Sequence, residues 1–323
     1  MAEAFLILLV LAFSWIIGAH YTGACMGMPY GSGSIRLVPA LGWMAVLALG
    51  GAFIASHRVE MTVGLNLVDA QRVTVADAVV VIVSAFALTT LYTAWRIPTS
   101  TIQILVFCVV GMGLGSGTPI DWGTIGRLAV LWVLAPCVAV VLGYFFTHAL
   151  DRTVGFRSTG DPRSLVVLRR LGRVLVAVGL LASWTMGAND VSNATGVLLM
   201  TDGATVWTAG AIGGIGLMLG VLTWGRPLLR KVAFDIVRVD LSMASAAQFV
   251  QAFVVLIAVG FGLFTSMNQA LIGGMMGAGI ARGNGAVDWK AIRTIVRGWA
   301  IAPISGIVIA FALTHLVGIW FAV

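Results

Sequence analysis

The chain repeats itself. The stretch Thr99-Ser100-Thr101-Ile102-Gln103, continuing through Gly111, Gly113, Asp121-Trp122, Ala135-Pro136 and Thr147-His148, recurs as Thr265-Ser266-Met267-Asn268-Gln269, Gly277, Gly279, Asp288-Trp289, Ala302-Pro303 and Thr314-His315. The copies lie 166 residues apart at first and 167 from the tryptophans onward. Ahead of each copy sits a second matching piece, GAHYTGACMG from Gly18 and GANDVSNATG from Gly187, offset by 169. Such a duplication restricts the fold to two related units, here residues 1–150 and 172–323. In an apolar chain, Gly, hydroxyl and amide residues that interrupt corresponding hydrophobic segments point to a solute site between the two units.

Composition decides the solvent. With 60% hydrophobic residues, 10% charged residues and a mean hydropathy of +1.04, the chain lies far from soluble domains, which run nearer a quarter charged. An all-α integral membrane protein is expected. The formal charge of +7 does not indicate nucleic acid, because the arginines fall at the ends of apolar runs, where they set topology. Cys25, Cys108 and Cys137 lie in apolar stretches without paired spacing, so neither a disulfide frame nor a metal cluster is expected. The first residues, MAEAFLILLVLAFSWIIG, lack a basic flank and run straight into the first repeat, as a retained helix does.

Apolar segments near the length needed to span a bilayer fall at roughly 3–18, 38–56, 74–95, 101–118 and 127–149, and again at 172–187, 204–224, 241–263, 266–281 and 293–321. About ten transmembrane helices are thus expected. Five per unit places the second unit upside down, and the first and fourth of each set are short or broken. With both termini outside, every Lys and Arg except Arg58, Arg72 and Arg127 falls on the inner side, as short cytoplasmic loops require. The arginine-rich linker at 151–171 is expected to be cytoplasmic and to meet anionic lipid headgroups.

A helix broken inside a membrane presents unpaired N–H groups and the positive end of its dipole, which together attract anions. Thr99, Ser100 and Thr101, and in the second copy Thr265 and Ser266, stand where N-caps would start such half-helices; Gln103 and Gln269 follow in register and are expected to join them in binding the substrate anion. Asp190, flanked by Asn189 and Asn193 in GANDVSNATG, is a carboxylate at membrane depth without a basic neighbour. Such groups mark ion or proton paths, and these hard oxygens suit Na⁺. The first copy carries His20, Tyr21 and Ala24 at the equivalent positions. His20 offers a titratable or anion-binding group and Tyr21 a hydroxyl donor. The turn expected in MPYGSGSIR, from Met28 to Arg36, could present backbone N–H groups to an oxyanion. Trp122 and Trp289 read as interfacial anchors, and Pro136 and Pro303 as helix kinks. Small-residue faces at Gly210/Gly214 and Gly273/Gly277 would suit either internal packing or a homodimer.

GANDVSNATG resembles the GANDVANA signature that the inorganic phosphate transporter (PiT) family carries once per half, and Pro98-Thr99-Ser100-Thr101 resembles its second recurring motif. The altered first copy, GAHYTGACMGMPYGSGSIR, is similar to the sulfate permease branch of that family. The resemblance implies an inverted-repeat secondary carrier of the cell membrane that uses Na⁺ or H⁺ to import an anion. It implies that Asn189, Asp190 and Asn193 serve the coupling ion, and that Thr99, Ser100, Thr101, Thr265 and Ser266 contact the oxyanion. Tyr21 stands where the family has an acidic residue, so one cation site is altered. Fewer carboxylates favour sulfate, which carries no proton to share, over protonated phosphate. Sulfate import is the expectation, with phosphate uptake as the alternative. A passive channel would lack a cation requirement. An enzyme would need paired acids, a metal cluster or an activated nucleophile that this sequence does not offer. No cofactor beyond Na⁺ is expected.

Overall fold

A computed structural model describes residues 2–57, 59–61, 66–154, 162–200, 204–236, 240–283 and 287–321. The first half forms α1 (Ala2–His20), α2 (Thr22–Gly31), α3 (Leu37–Ala55), α4 (Val75–Ala94), α5 (Thr101–Ser116) and α6 (Trp122–Val154). The second forms α7 (Pro162–Asp190), α8 (Ser192–Met200), α9 (Val206–Trp224), α10 (Arg226–Phe234), α11 (Leu241–Gly260), α12 (Met267–Ala281) and α13 (Trp289–Phe321). Among the described residues, β pairing is limited to an isolated bridge between Val68 and Ile120.

Seven stretches are long and apolar enough to cross a bilayer, by length and composition: Glu3–Gly31, Leu37–Ala55, Val75–Ala94, Trp122–Arg152, Val206–Trp224, Leu241–Gly260 and Trp289–Gly318. The protein is therefore a multi-pass membrane protein. The short elements are informative. At a rise of about 1.5 Å per residue, α5 and α12 reach only about 24 and 22 Å, less than the roughly 30 Å hydrocarbon core. Each starts inside the protein, capped by a serine whose hydroxyl accepts from the N–H three residues on: Ser100 from Gln103 and Ser266 from Gln269. The chain also breaks at Tyr21, between α1 and α2, and at Val191, between α7 and α8.

Several boundaries differ from those the sequence suggests. Met28–Gly31 belongs to α2, so the glycine-serine turn is confined to residues 32–35, with Gly33 at φ 72°. The linker is mostly helix, because α6 runs to Val154 and α7 starts at Pro162. Arg157, like Arg58 and Arg238, lies outside the described residues. Trp122 and Trp289 open α6 and α13 and are partly exposed. The preceding aspartates cap these helices: Asp121 accepts from the Thr124 hydroxyl (2.8 Å) and N–H (3.0 Å), and Asp288 from the N–H groups of Ala291 (3.0 Å) and Lys290 (2.9 Å). Those bonds favour the charged form and hold both carboxyls below the usual range.

The bundle is held by exchange between halves. Helix α1 packs along α9 and α7 along α3; likewise α5 packs along α13 and α12 along α6. The same contacts occur twice. A Cβ at Gly220 would overlap the Trp15 carbonyl, and one at Gly51 the Trp184 carbonyl; Gly18 meets Leu217 as Gly187 meets Ala48, and Gly111 meets Ile307 as Gly277 meets Val140. These partners share the sequence offsets of the repeat. Removing the side chain lets backbones approach and dispersion act over the whole crossing, the attraction available when lipid tails are as apolar as the helices. Gly273 and Gly277 face Pro136 and Val140 of α6, and Gly210 and Gly214 face α3. Both small-residue faces are thus used within the chain.

Gly51→Ala and Gly220→Ala should each destabilise by about 1–3 kcal/mol, because backbone, not a flexible side chain, must yield. Gly42, also helical, has open space around its Cβ position. Gly42→Ala should be neutral or stabilising. Thermal unfolding in detergent would separate the three.

Candidate functional site

The two half-helix starts meet. Chain segments that approach them, 97–100 and 263–266, are extended, and each is pinned by an indole: Trp299 Nε1 donates to the Pro98 carbonyl (3.0 Å) and Trp132 Nε1 to the Phe264 carbonyl (3.2 Å). Asn268, in the first turn of α12, donates through Nδ2 to the Thr99 carbonyl (2.8 Å), tying one start to the other. One turn deeper, Gln103 and Gln269 pair reciprocally, Gln103 Nε2 to Gln269 Oε1 at 3.3 Å and Gln269 Nε2 to Gln103 Oε1 at 3.1 Å. Thr99, Ser100, Thr101, Thr265 and Ser266 are all buried. The glutamines, expected to face substrate, spend these amide bonds on each other at the base of a cavity of about 510 Å³. Its walls include Phe107, Trp132, Trp299 and Ile307.

The helix breaks converge on the same place. Asn189 Nδ2 donates to the Thr265 carbonyl (3.1 Å) and Asn193 Nδ2 to Thr101 Oγ1 (2.7 Å), so the second signature reaches both starts. Tyr21 OH bonds Thr101 Oγ1 (2.9 Å). His20 is committed at both nitrogens. Thr93 Oγ1 gives its proton to the Thr89 carbonyl and so accepts from His20 Nδ1 (2.7 Å). The neutral ring then accepts at Nε2 from the Thr99 N–H (3.2 Å). His20 thus holds the segment before α5 in place, and its ring offers no spare nitrogen to an anion.

What is left unpaired defines the chemistry. Asp190 lies against Tyr21, Asn189 and Asn193, is fully buried, and neither carboxylate oxygen has a hydrogen-bond partner of good geometry. Asn189 Oδ1, Asn193 Oδ1 and Thr265 Oγ1 are likewise buried and unpartnered. An uncompensated carboxylate surrounded by oxygen acceptors costs several kcal/mol in a water-poor interior. A hard cation would satisfy all these oxygens together. The N-termini of α5 and α12 and the hydroxyls of Thr99, Ser100 and Tyr21 bring hydroxyl and N–H groups to the same cluster.

The sequence reading passed over several members. Gln248 of α11 donates to the Ala24 carbonyl and to Gln251 Oε1 (both 2.9 Å), leaving Gln248 Oε1 and Gln251 Nε2 buried and unpartnered. Two amides in an apolar segment were the available signal. Trp132 and Trp299 were legible as a pair, since they too stand 167 residues apart. Asn268 was hidden because its counterpart in the first copy is Ile102.

A helical bundle with seven membrane-length stretches, closed around a buried polar cluster at interrupted helices, defines a multi-pass membrane protein. The chain belongs to the phosphate transporter family, whose model matches residues 17–310. It is similar over nearly its whole length to the sulfate permease CysP of Bacillus subtilis, at 29% identity over 96% of this chain and 86% of that protein. A protein of Pyrococcus abyssi named as a phosphate permease is 26% identical over 97% of this chain and 98% of its own. A solved structure titled as the sodium-dependent phosphate transporter shares the fold, with a TM-score of 0.89 at 21% identity over 98% of this chain and 99% of that one.

Gln103→Leu alone should cost about 1–3 kcal/mol by stranding the Gln269 amide, whereas the double change to leucine should recover most of that loss. A thermal-stability cycle over the four proteins checks the pairing.

Proposed function

We propose that this protein is a secondary carrier that imports sulfate across the cell membrane, driven by a cation held at Asp190. The observation that carries the reading is the juxtaposition of two kinds of group in one buried cluster. Oxygens of Asp190, Asn189, Asn193 and Thr265 are unpartnered, and the capped starts of α5 and α12, with the hydroxyls of Thr101 and Tyr21, adjoin them. The cation neutralises the carboxylate, and the anion then meets donors without facing a bare negative charge. Sulfate is preferred because it needs donors only, whereas a protonated phosphate gains from a free carboxylate acceptor. Tyr21 in the position of Asp190 supports that choice, as does the similarity to the Bacillus subtilis sulfate permease. Phosphate is the competing substrate, favoured by the family and by relatives named for it.

The architecture follows as part of the same reading. Two inverted units, residues 1–150 and 172–323 joined through 151–171, rock against each other around the fixed cluster. Five crossings per unit, if α5 and α12 are counted as half-crossings from opposite faces, account for the basic residues on one side and for the twice-used glycine contacts. Thr99, Ser100, Thr101, Thr265, Ser266 and Tyr21 contact the anion; Asn189, Asp190 and Asn193 bind the cation, Na⁺ by the donor set. His20, Gln103 and Gln269 position the half-helices.

Proteoliposomes loaded to impose Na⁺ and proton gradients separately should accumulate radiolabelled sulfate saturably, with excess phosphate failing to compete. Accumulation of phosphate instead would reverse the substrate assignment. Asp190→Asn should insert normally yet weaken cation-driven uptake by about tenfold or more, the loss of at least one charge-assisted interaction. Unchanged accumulation would remove Asp190 from the coupling site.

A further inference from the structure

A second buried carboxylate stands outside the cluster just described. Glu60 follows α3, between the spans Leu37–Ala55 and Val75–Ala94, and is fully enclosed. It forms no ion pair among the described residues. Its Oε1 lies 2.6 Å from Thr195 Oγ1 of α8, and its Oε2 is unpartnered. Thr195 Oγ1 also lies 3.0 Å from the carbonyl of Val191, the residue at the α7–α8 break that follows Asp190.

Those two contacts compete for one proton, which at best they share. A hydroxyl has one hydrogen to give, and a carboxylate and a carbonyl can only accept. The conflict vanishes if Glu60 carries a proton: Glu60 then donates to Thr195 Oγ1, and Thr195 donates onward to the Val191 carbonyl. If Glu60 ionises, the Thr195 hydrogen turns to the carboxylate and the Val191 carbonyl loses that donor. The surroundings favour the proton. Serine, threonine and glycine border the group: Ser56 lies beside the carboxyl, and Ser14 Oγ, unpartnered, lies with the Thr195 and Val191 side chains around Gly213. Its titratable neighbours are few: the His57 ring stands against Trp207 at 4.1 Å with both nitrogens unpartnered, α8 carries no titratable side chain, Asp190 belongs to the other cluster, and Arg58 is outside the described residues. Burial pushes the carboxyl up to about 7.

We infer that Glu60 is a proton-binding site whose occupancy is read at the α7–α8 break through Thr195, so that the protein takes up a proton at Glu60 in addition to the cation at Asp190. The donor sets separate the two ions. Asn189, Asp190, Asn193 and Thr265 leave five oxygens unpaired, a set that suits a metal cation; Glu60 leaves one carboxyl oxygen unpaired, and the other is held by a hydroxyl, a set that suits a proton. This rests on the reading of the protein as a cation-coupled anion carrier, and Glu60 acts as a positioning residue, not as a ligand of the anion.

Two measurements test it in the full-length protein. In purified wild type, difference infrared spectra across a pH titration should show a protonated-carboxyl C=O band that disappears near neutral pH and is absent in Glu60→Gln. This arm needs no transport, and a spectrum unaltered by Glu60→Gln overturns the inference whatever the substrate is. The second arm uses sulfate uptake at saturating Na⁺, because sulfate keeps its charge over this range. Between about pH 6 and about pH 8, a carboxyl titrating near 7 loses roughly tenfold in protonated fraction, and wild-type uptake should fall by roughly that factor. Glu60→Gln, whose amide can still donate to Thr195, should transport with a flat profile, and Thr195→Val should keep the infrared band while losing the slope. A wild-type slope retained in both variants overturns the coupling. Absence of any sulfate or phosphate uptake by wild type would instead reject the carrier reading and leave the infrared result standing.

Discussion

A helix that ends inside an apolar layer leaves N–H and C=O groups with no water to pair with, and each one left bare costs several kcal/mol. Everything around the centre of this protein answers that constraint. Ser100 and Ser266 cap the buried starts of α5 and α12. The indoles of Trp299 and Trp132 take the carbonyls of Pro98 and Phe264, and the amides of Asn189 and Asn268 take those of Thr265 and Thr99. His20 secures the Thr99 N–H. The groups that this accounting leaves at the second break are oxygens of Asn189, Asp190 and Asn193, with Thr265 beside them. Site and scaffold are two parts of one hydrogen-bond ledger.

The two copies have diverged in a way that separates their tasks. At the first break stand His20, bonded to α4 and to the segment before α5, and Tyr21, bonded to the start of α5; at the second stand Asn189 and Asp190, with three of their four side-chain polar atoms unpaired. The first break has become structural and donor-rich, and the second retains the open charge. A duplicated unit allows this asymmetry, because the shared backbone geometry survives when one copy changes its side chains.

Much of the fold was legible because its determinants are local. Hydrophobic run length, the serines at the half-helix starts and the repeat itself are written in contiguous sequence. Asp190 and its asparagines stood out because a carboxylate in an apolar stretch has few structural uses. Other features depend on partners that the sequence does not place. Nothing in Gln103 and Gln269 says that they face each other across the bundle and not toward a solute. His20 looked titratable and proved to be held on both sides by threonine and backbone. Gln248 and Glu60 lie off the repeated motifs, and Asn268 lies within one but has Ile102 as its counterpart in the other copy, so the importance of all three follows only from what they touch.

The exchange of helix partners constrains how the chain can be made. Helices α1, α3, α5 and α6 each find their glycine-fitted neighbour in residues beyond Pro162. A nascent first half entering the membrane therefore exposes those faces to lipid and lacks the donors that Asn193, Asn268 and Trp299 later bring to the start of α5. The two halves are units of sequence but not of assembly. The protein is committed to inserting most of its length before any of its centre can close, and a ribosome stalled midway would leave in the bilayer a fragment with no folded state of its own.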